Sequence, residues 1–230
     1  MNNAPDLPQP VFHESLDERI GELRGVHVWT RDLDATGDAW LDRDELLSSE
    51  ELSVARRLRS PLARRRFVRS HVIAQHLLAG ILQMPAGDIV FDHNPQGKPF
   101  VRLSDRDGAA GGAAFDFNFS HSENAFLFGV CFGAAVGVDV EIIRDGFDLL
   151  SVAESFFSPA EMKSLQVARD SDRHSLFFRY WTRREAFAKA VGRGLAAPLN
   201  CAEADDGWRH FQTTLQVGHG RAAAAIVWRN

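Results

Sequence analysis

Gly137-Val138-Asp139-Val140-Glu141 sets two carboxylates one residue apart inside an otherwise apolar run, Ala134 to Ile143. Successive side chains of a strand point to opposite faces. Asp139 and Glu141 are therefore expected on one face, with Val138, Val140 and Ile142 on the other. Adjacent like charges repel, so something positive belongs between them, and a hard divalent cation held by oxygen ligands is the simplest candidate. The same residues also fit an edge strand with a solvated acidic face. The pair alone leaves both readings open.

Downstream, Phe177, Tyr180, Trp181, Phe187, Ala188 and Val191 recur at helical spacing, and Gly192 is placed to end the helix in a left-handed conformation. Trp181, Glu185 and Lys189 are spaced to share one flank, a pattern that by itself also describes an ordinary amphipathic helix with a surface Glu–Lys pair. Working outward, Ser158 with Glu161 and Ser48 with Glu51 read as capping boxes, the latter opening a helix that ends near Ser60. Ser60-Pro61 opens a long core helix striped with Phe67, Val72, Ile73, Leu77, Leu78 and Ile81. Strands are expected at Val26 to Thr30, Ile89 to Phe91, Pro99 to Leu103, Ala113 to Phe119, Ala125 to Phe132 and Ala135 to Ile143. Asn94-Pro95-Gln96-Gly97 is a turn, and Phe211 to Val217 with Ala222 to Trp228 closes the chain as a hairpin. The Gly- and Ala-rich stretch Asp105 to Ala114 reads as a loop or linker. The class is α+β, and each half, residues 1–112 and 113–230, holds a strand, helical material and more strands. The residues themselves show no repeat.

With 230 residues, 45% hydrophobic and 25% charged, the composition is that of a globular protein with one good core or two modest ones. Two cysteines make no disulfide framework: Cys131 lies in an apolar strand and Cys201 follows a turn, so a reducing cytoplasm is expected. Met1 to Pro10 is polar and Pro-rich without an apolar signal core, and no run approaches the length of a membrane span. The net charge is −5, yet Arg56, Arg57, Arg59, Arg64, Arg65, Arg66 and Arg69 follow one another with no acid among them. Such a block suits an acidic protein or a phosphorylated ligand. Nucleic acid is disfavoured by the negative total and by the lack of any accompanying nucleic-acid-binding motif. His71, His76, His93 and His174 show no metal-ligand spacing.

Four segments, taken in order, resemble the Sfp-type 4′-phosphopantetheinyl transferase family: Gly97-Lys98-Pro99, then Asn118, Ser120, His121 and Ser122 in Phe117-Asn118-Phe119-Ser120-His121-Ser122, then Gly137, Asp139 and Glu141, then Trp181, Glu185, Ala186, Lys189, Gly192 and Gly194. The resemblance spans about residues 48 to 200. One position departs, since Arg184 stands where the family carries Lys, a broad planar fork in place of a compact ammonium.

The resemblance implies a pseudo-dimer of two similar α+β halves with the active site in the cleft between them, the N-terminal half contributing to coenzyme A binding and the C-terminal half carrying metal and catalytic residues. It implies Mg²⁺-dependent transfer of the 4′-phosphopantetheine arm of coenzyme A to a serine of an acyl, peptidyl or aryl carrier protein, releasing adenosine 3′,5′-bisphosphate. Such transfer serves polyketide, nonribosomal-peptide or siderophore biosynthesis. By the same resemblance Asp139, Glu141 and Glu185 hold Mg²⁺ or Mn²⁺, and Glu185, or water held by it or by the metal, is the base. Lys189 reaches a phosphate; Lys98, Ser120 and His121 contact coenzyme A phosphates; Arg66 lies near the adenine. A cytoplasmic monomer is expected, with no nucleic-acid or membrane partner. The carrier is expected to dock on part of the Arg block or on an apolar loop, Phe147 to Phe157. The alternatives are a degenerate homologue that binds coenzyme A or a carrier without turnover, and another Mg²⁺-dependent enzyme acting on a nucleotide or phosphoester.

Overall fold

The computed structural model describes residues 25–101, 115–192 and 207–229. The Gly- and Ala-rich stretch from Asp105, Cys201, Gly194 of the fourth motif and the N-terminal segment lie outside these. Two three-stranded sheets dominate. In the first, β1 (Val26–Asp32), β5 (Ala125–Phe132) and β4 (Phe115–Ser122) lie in the order β1-β5-β4, all antiparallel. In the second, β6 (Val136–Ile142), β8 (Gly220–Arg229) and β7 (Trp208–Val217) lie in the order β6-β8-β7, again antiparallel. A small hairpin, β2 (Phe91–His93) with β3 (Pro99–Val101), stands apart around the turn at Asn94 to Gly97. The class is α+β.

The helices fall where local sequence sets them. Both capping boxes form: Ser48 and Glu51 open α1 (Ser49–Arg57), and Ser158 and Glu161 open α4 (Pro159–Val167). Each of these N-caps is worth about 1 kcal/mol. Pro61 begins the 22-residue α2 (Pro61–Leu82), and α5 (Asp170–Val191), also 22 residues, ends at Gly192 with φ 66°. Each sheet thus receives a strand, a short capped helix, a long helix and a hairpin whose last strand pairs centrally.

Three apolar layers hold these parts together. Val68, Val72, Ile73, Leu77 and Leu78 of α2 pack on Trp29, Phe117, Phe126 and Phe128 of the first sheet. Between the sheets, Val28, Leu127 and Cys131 meet Val136, Val138, Val140 and Ile226. On the far side, Ala186, Phe187 and Ala190 of α5 cover Ala225 and Val227.

Several sequence expectations shift. Strand β2 starts at Phe91 rather than Ile89, because the preceding residues form a short 3₁₀ turn, Ala86–Asp88. The apolar stretch Phe147 to Phe157 is not a loop: Leu149–Phe156 is helical (α3), and Leu149, Ala153 and Phe157 are buried against Phe177 and Phe178, leaving Phe156 as its exposed large apolar side chain. The Arg block folds back on the acidic segment before it. Arg65 and Arg69 pair with Asp42, Arg66 with Asp34 and Arg64 with Asp44. Hydrogen bonding sets β4 and β5 beside β1, and the chain passes from the first sheet to the second between β5 and β6, where Gly133 has φ 79°.

Candidate active site

Strand β4 alternates aromatic and polar residues, Phe115-Asp116-Phe117-Asn118-Phe119-Ser120-His121-Ser122, and the two faces do different work. The aromatic face, with His121, turns to α2. The polar face closes the open edge of β6 with side chains instead of a strand: Asp116 Oδ2 accepts from the Val136 N–H at 2.8 Å, Asn118 Oδ1 from the Val138 N–H at 3.0 Å, and Ser122 Oγ from the Ile142 N–H at 3.2 Å. These bonds satisfy donors that an unpaired edge would leave exposed or orphaned. They also bring β4 hydroxyls onto the β6 carboxylates. Ser120 Oγ donates to Asp139 Oδ1 at 3.0 Å and Ser122 Oγ to Glu141 Oε2 at 2.6 Å. Asp139 and Glu141 share a face as the spacing predicts, but that face is not a solvated edge, since Asp139 is only 3% exposed.

Helix α5 supplies the rest of the site because Gly137 lets it approach. A Cβ at Gly137 would lie 2.1 Å from the Ala186 carbonyl oxygen and 2.3 Å from the Ala190 nitrogen. At that separation Lys189 Nζ donates to Asp139 Oδ1 at 2.6 Å and to Ser120 Oγ at 3.0 Å. Glu185, one turn earlier, joins Lys189, Gly97, Lys98, Asn118 and Phe119 in lining a cleft of about 250 Å³. Three of the four sequence motifs therefore border one cavity directly, and the β6 motif reaches it through the Asp139–Lys189 pair.

Burial raises all three carboxylates. Burial pushes the Glu185 carboxyl up to about 7, with the Asp139 and Glu141 charges adding to it and Lys189 opposing. Burial also raises Asp139, against the pull of Lys189 and Ser120, and raises Glu141, against that of Ser122. Among the described residues no three His, Cys, Asp or Glu side chains are gathered closely enough to hold a metal ion by themselves. The donors nonetheless suit a hard cation that keeps waters of its own: all are carboxylate oxygens, and Asp139 Oδ2 is buried without a hydrogen-bond partner.

Of the remaining expected ligand-binding residues, Lys98 lines the cleft, whereas Arg66 and His121 are not among its lining residues. Lys98 Nζ donates to Asp116 Oδ2 and, at 3.0 Å, to the Val136 carbonyl. Arg66 holds Asp34 through two bonds of 3.1 and 2.5 Å. His121 faces α2, where burial, with the His71, Lys189 and Arg66 charges, lowers it to about 4, so it offers a neutral ring N–H at ordinary pH. Arg184 points away from the cleft. It donates to Glu161 Oε2 at 2.5 Å and lies over the Phe157 ring, while Arg183 donates to Glu161 Oε1 at 2.8 Å. Position 184 thus clamps α5 to the capped start of α4. Sequence reading missed Asp116 and Glu161 as builders of the site. The aromatic–polar alternation of β4 was the available signal for Asp116; Glu161 carries none beyond its cap.

Residues 135–229, which contain β6, α5 and the last hairpin, match the model of the 4′-phosphopantetheinyl transferase superfamily. The chain is 39% identical over 171 residues to the 4′-phosphopantetheinyl transferase HetI of Nostoc sp., covering 74% of this chain and 70% of that one. It is 31% identical over 183 residues to the 4′-phosphopantetheinyl transferase psf-1 of Bacillus pumilus, covering 78% and 72%. With that identity across most of both chains, the chain belongs to the 4′-phosphopantetheinyl transferase superfamily.

Proposed function

We propose that the protein transfers the 4′-phosphopantetheine arm of coenzyme A to a serine of an acyl, peptidyl or aryl carrier protein at the cleft between β3, β4 and α5. The observation that carries this reading is the convergence of Glu185, Lys189 and Lys98 on one cavity, with Asp139 bonded to Lys189 beneath it. The matching order β1-β5-β4 and β6-β8-β7, each built around a 22-residue helix, supports a pseudo-dimer whose halves divide between β5 and β6. A monomer acting in the cytoplasm is the simplest form of such an enzyme, and no helix among the described residues is long and apolar enough to cross a membrane.

In the proposed reaction the carrier serine Oγ attacks the β-phosphorus of coenzyme A. The new O–P bond forms as the P–O bond to adenosine 3′,5′-bisphosphate breaks. Glu185, or a water it holds, takes the serine proton; without metal its carboxyl titrates at about 7, and a dication held there would lower it and favour the ionised form that a base requires. Lys189 offsets charge on the departing phosphate. Lys98, Ser120 and His121 orient the phosphates and Arg66 the adenine side, Lys98 and Arg66 sharing or leaving their present carboxylate partners to do so. Asp139, Glu141 and Glu185 would hold Mg²⁺, or Mn²⁺ in its place, which would supply charge neutralisation at the pyrophosphate oxygens.

Incubation with coenzyme A, Mg²⁺ and an apo carrier protein, followed by mass measurement of the carrier, tests this. One serine should gain the phosphopantetheine mass, and Asp139→Ala should lower the rate at least about a hundredfold while the melting curve stays cooperative. An unmodified carrier would reject transfer, and a fully active Asp139→Ala would remove that carboxylate from the mechanism.

A further inference from the structure

Lys189 holds the place of a cation. Its ammonium lies 2.6 Å from Asp139 Oδ1, whereas Oδ2 of the same carboxylate is buried and has no hydrogen-bond partner. A buried carboxylate needs a counter-charge, and Lys189 is the one bonded to it. The two partners differ in freedom. Both touch Ser120, but the Asp139 side chain is 4% exposed and held within β6, whereas that of Lys189 is 29% exposed and borders the cleft. Lys98, the other ammonium at the cleft, is only 12% exposed and is held by Asp116 and the Val136 carbonyl. Lys189 is the cation that can leave.

We propose that Lys189 and a divalent cation compete for Asp139, so that Lys189 is released toward a phosphate group of the coenzyme when the metal takes its place. The proposal rests on the reading above, in which Asp139 is a metal ligand and Lys189 faces phosphate. An ammonium within hydrogen-bonding distance of a carboxylate that also ligates a dication faces strong like-charge repulsion. The flexible four-carbon stem of Lys189 lets it relieve that repulsion by turning into the cleft. An anionic phosphate arriving there stabilises the turned-out ammonium, so phosphate and metal favour each other's binding, and by linkage the coupling is reciprocal. Lys189 thereby makes the metal site weak until the coenzyme is present.

The test compares Mn²⁺ binding to wild type and Lys189→Met, both free of coenzyme A, by the loss of the free-ion electron paramagnetic resonance signal at one pH and ionic strength. Lys189→Met should bind Mn²⁺ roughly tenfold or more tightly than wild type, because its competitor for Asp139 is gone. Adenosine 3′,5′-bisphosphate should tighten Mn²⁺ binding to wild type by a larger factor than to Lys189→Met. Should the Met variant fail to melt cooperatively, Lys189→Gln replaces it, since an amide can still donate to Asp139 without charge. Equal or weaker Mn²⁺ binding in the folded neutral variant overturns the exchange. Absence of Mn²⁺ binding to both proteins, with and without coenzyme A, overturns instead the assignment of Asp139 as a metal ligand.

Discussion

Glu185 and His121 stand on opposite sides of β4 and titrate in opposite senses. Glu185 is raised from 4.5 to about 7, so between those values the folded chain binds more protons than the unfolded one, and stability falls as pH rises through that window. His121 is lowered from 6.5 to about 4; there the unfolded chain binds more protons, and stability falls as pH drops through the window. Over the shared range the two slopes oppose each other. In metal-free protein, Glu185→Gln should gain stability relative to wild type as pH rises from 4.5 to 7, and His121→Asn should gain as pH falls from 6.5 toward 4. Urea titrations at several pH values read the difference. Profiles parallel to wild type in both variants would mean that neither group is perturbed by its surroundings.

Between elements, the approach of α5 to β6 decides whether a site exists. Gly137 is required by space, because the atoms a Cβ would strike are the backbone of Ala186 and Ala190 and cannot rotate away. Gly137→Ala should cost about 1–3 kcal/mol or more and lower transferase activity, since displacement of α5 carries Glu185 and Lys189 away from Asp139. Gly87→Ala is the control, its added Cβ meeting nothing closer than Leu46 Cδ2 at 3.9 Å. Thermal melts with activity assays distinguish the two, and a Gly137→Ala protein as stable and active as the control would refute the close approach. At the other end of this contact Glu161 closes the α4 cap and receives both Arg183 and Arg184. Arg in place of the family Lys is consistent with this: the side chain serves an ion pair and a ring contact at the α4–α5 junction, away from the cavity.

Over the whole molecule, the charge asymmetry along the chain largely cancels on folding. Arg69 is 1% exposed and binds Asp42 and the Leu33 and Ala35 carbonyls, and Arg64, Arg65 and Arg66 each have an acidic partner. Arg56, Arg57 and Arg59 are exposed, with Val54 and Leu62 exposed beside them in sequence. If this surface meets an acidic carrier, Arg57→Glu with Arg59→Glu should raise KM for the carrier several-fold, mainly through the association rate, and leave coenzyme A affinity unchanged. The effect should shrink as salt is added. Loss of coenzyme A affinity with an unchanged carrier KM would assign the surface to the nucleotide instead.

Both capping boxes, the Pro61 helix start, the Gly192 helix end, the closing hairpin and the shared face of Asp139 and Glu141 were legible in the sequence, because each depends on hydrogen bonds or side-chain directions within a few residues. Of the motif residues, Gly97, Lys98, Pro99, Asn118, Glu185, Lys189 and Gly192 line the cleft. Other features required the tertiary structure. The like topology of the two sheets is a property of strand order, which side-chain identities do not carry. The same holds for the pairing of the arginines with Asp34, Asp42 and Asp44, and for the burial of Leu149 and Phe157. The sequence placed a carboxylate at position 139 and an ammonium at position 189. That they bond to each other was decided by β4 closing the β6 edge and by α5 resting on Gly137, contacts between residues far apart in the chain that only folding brings together.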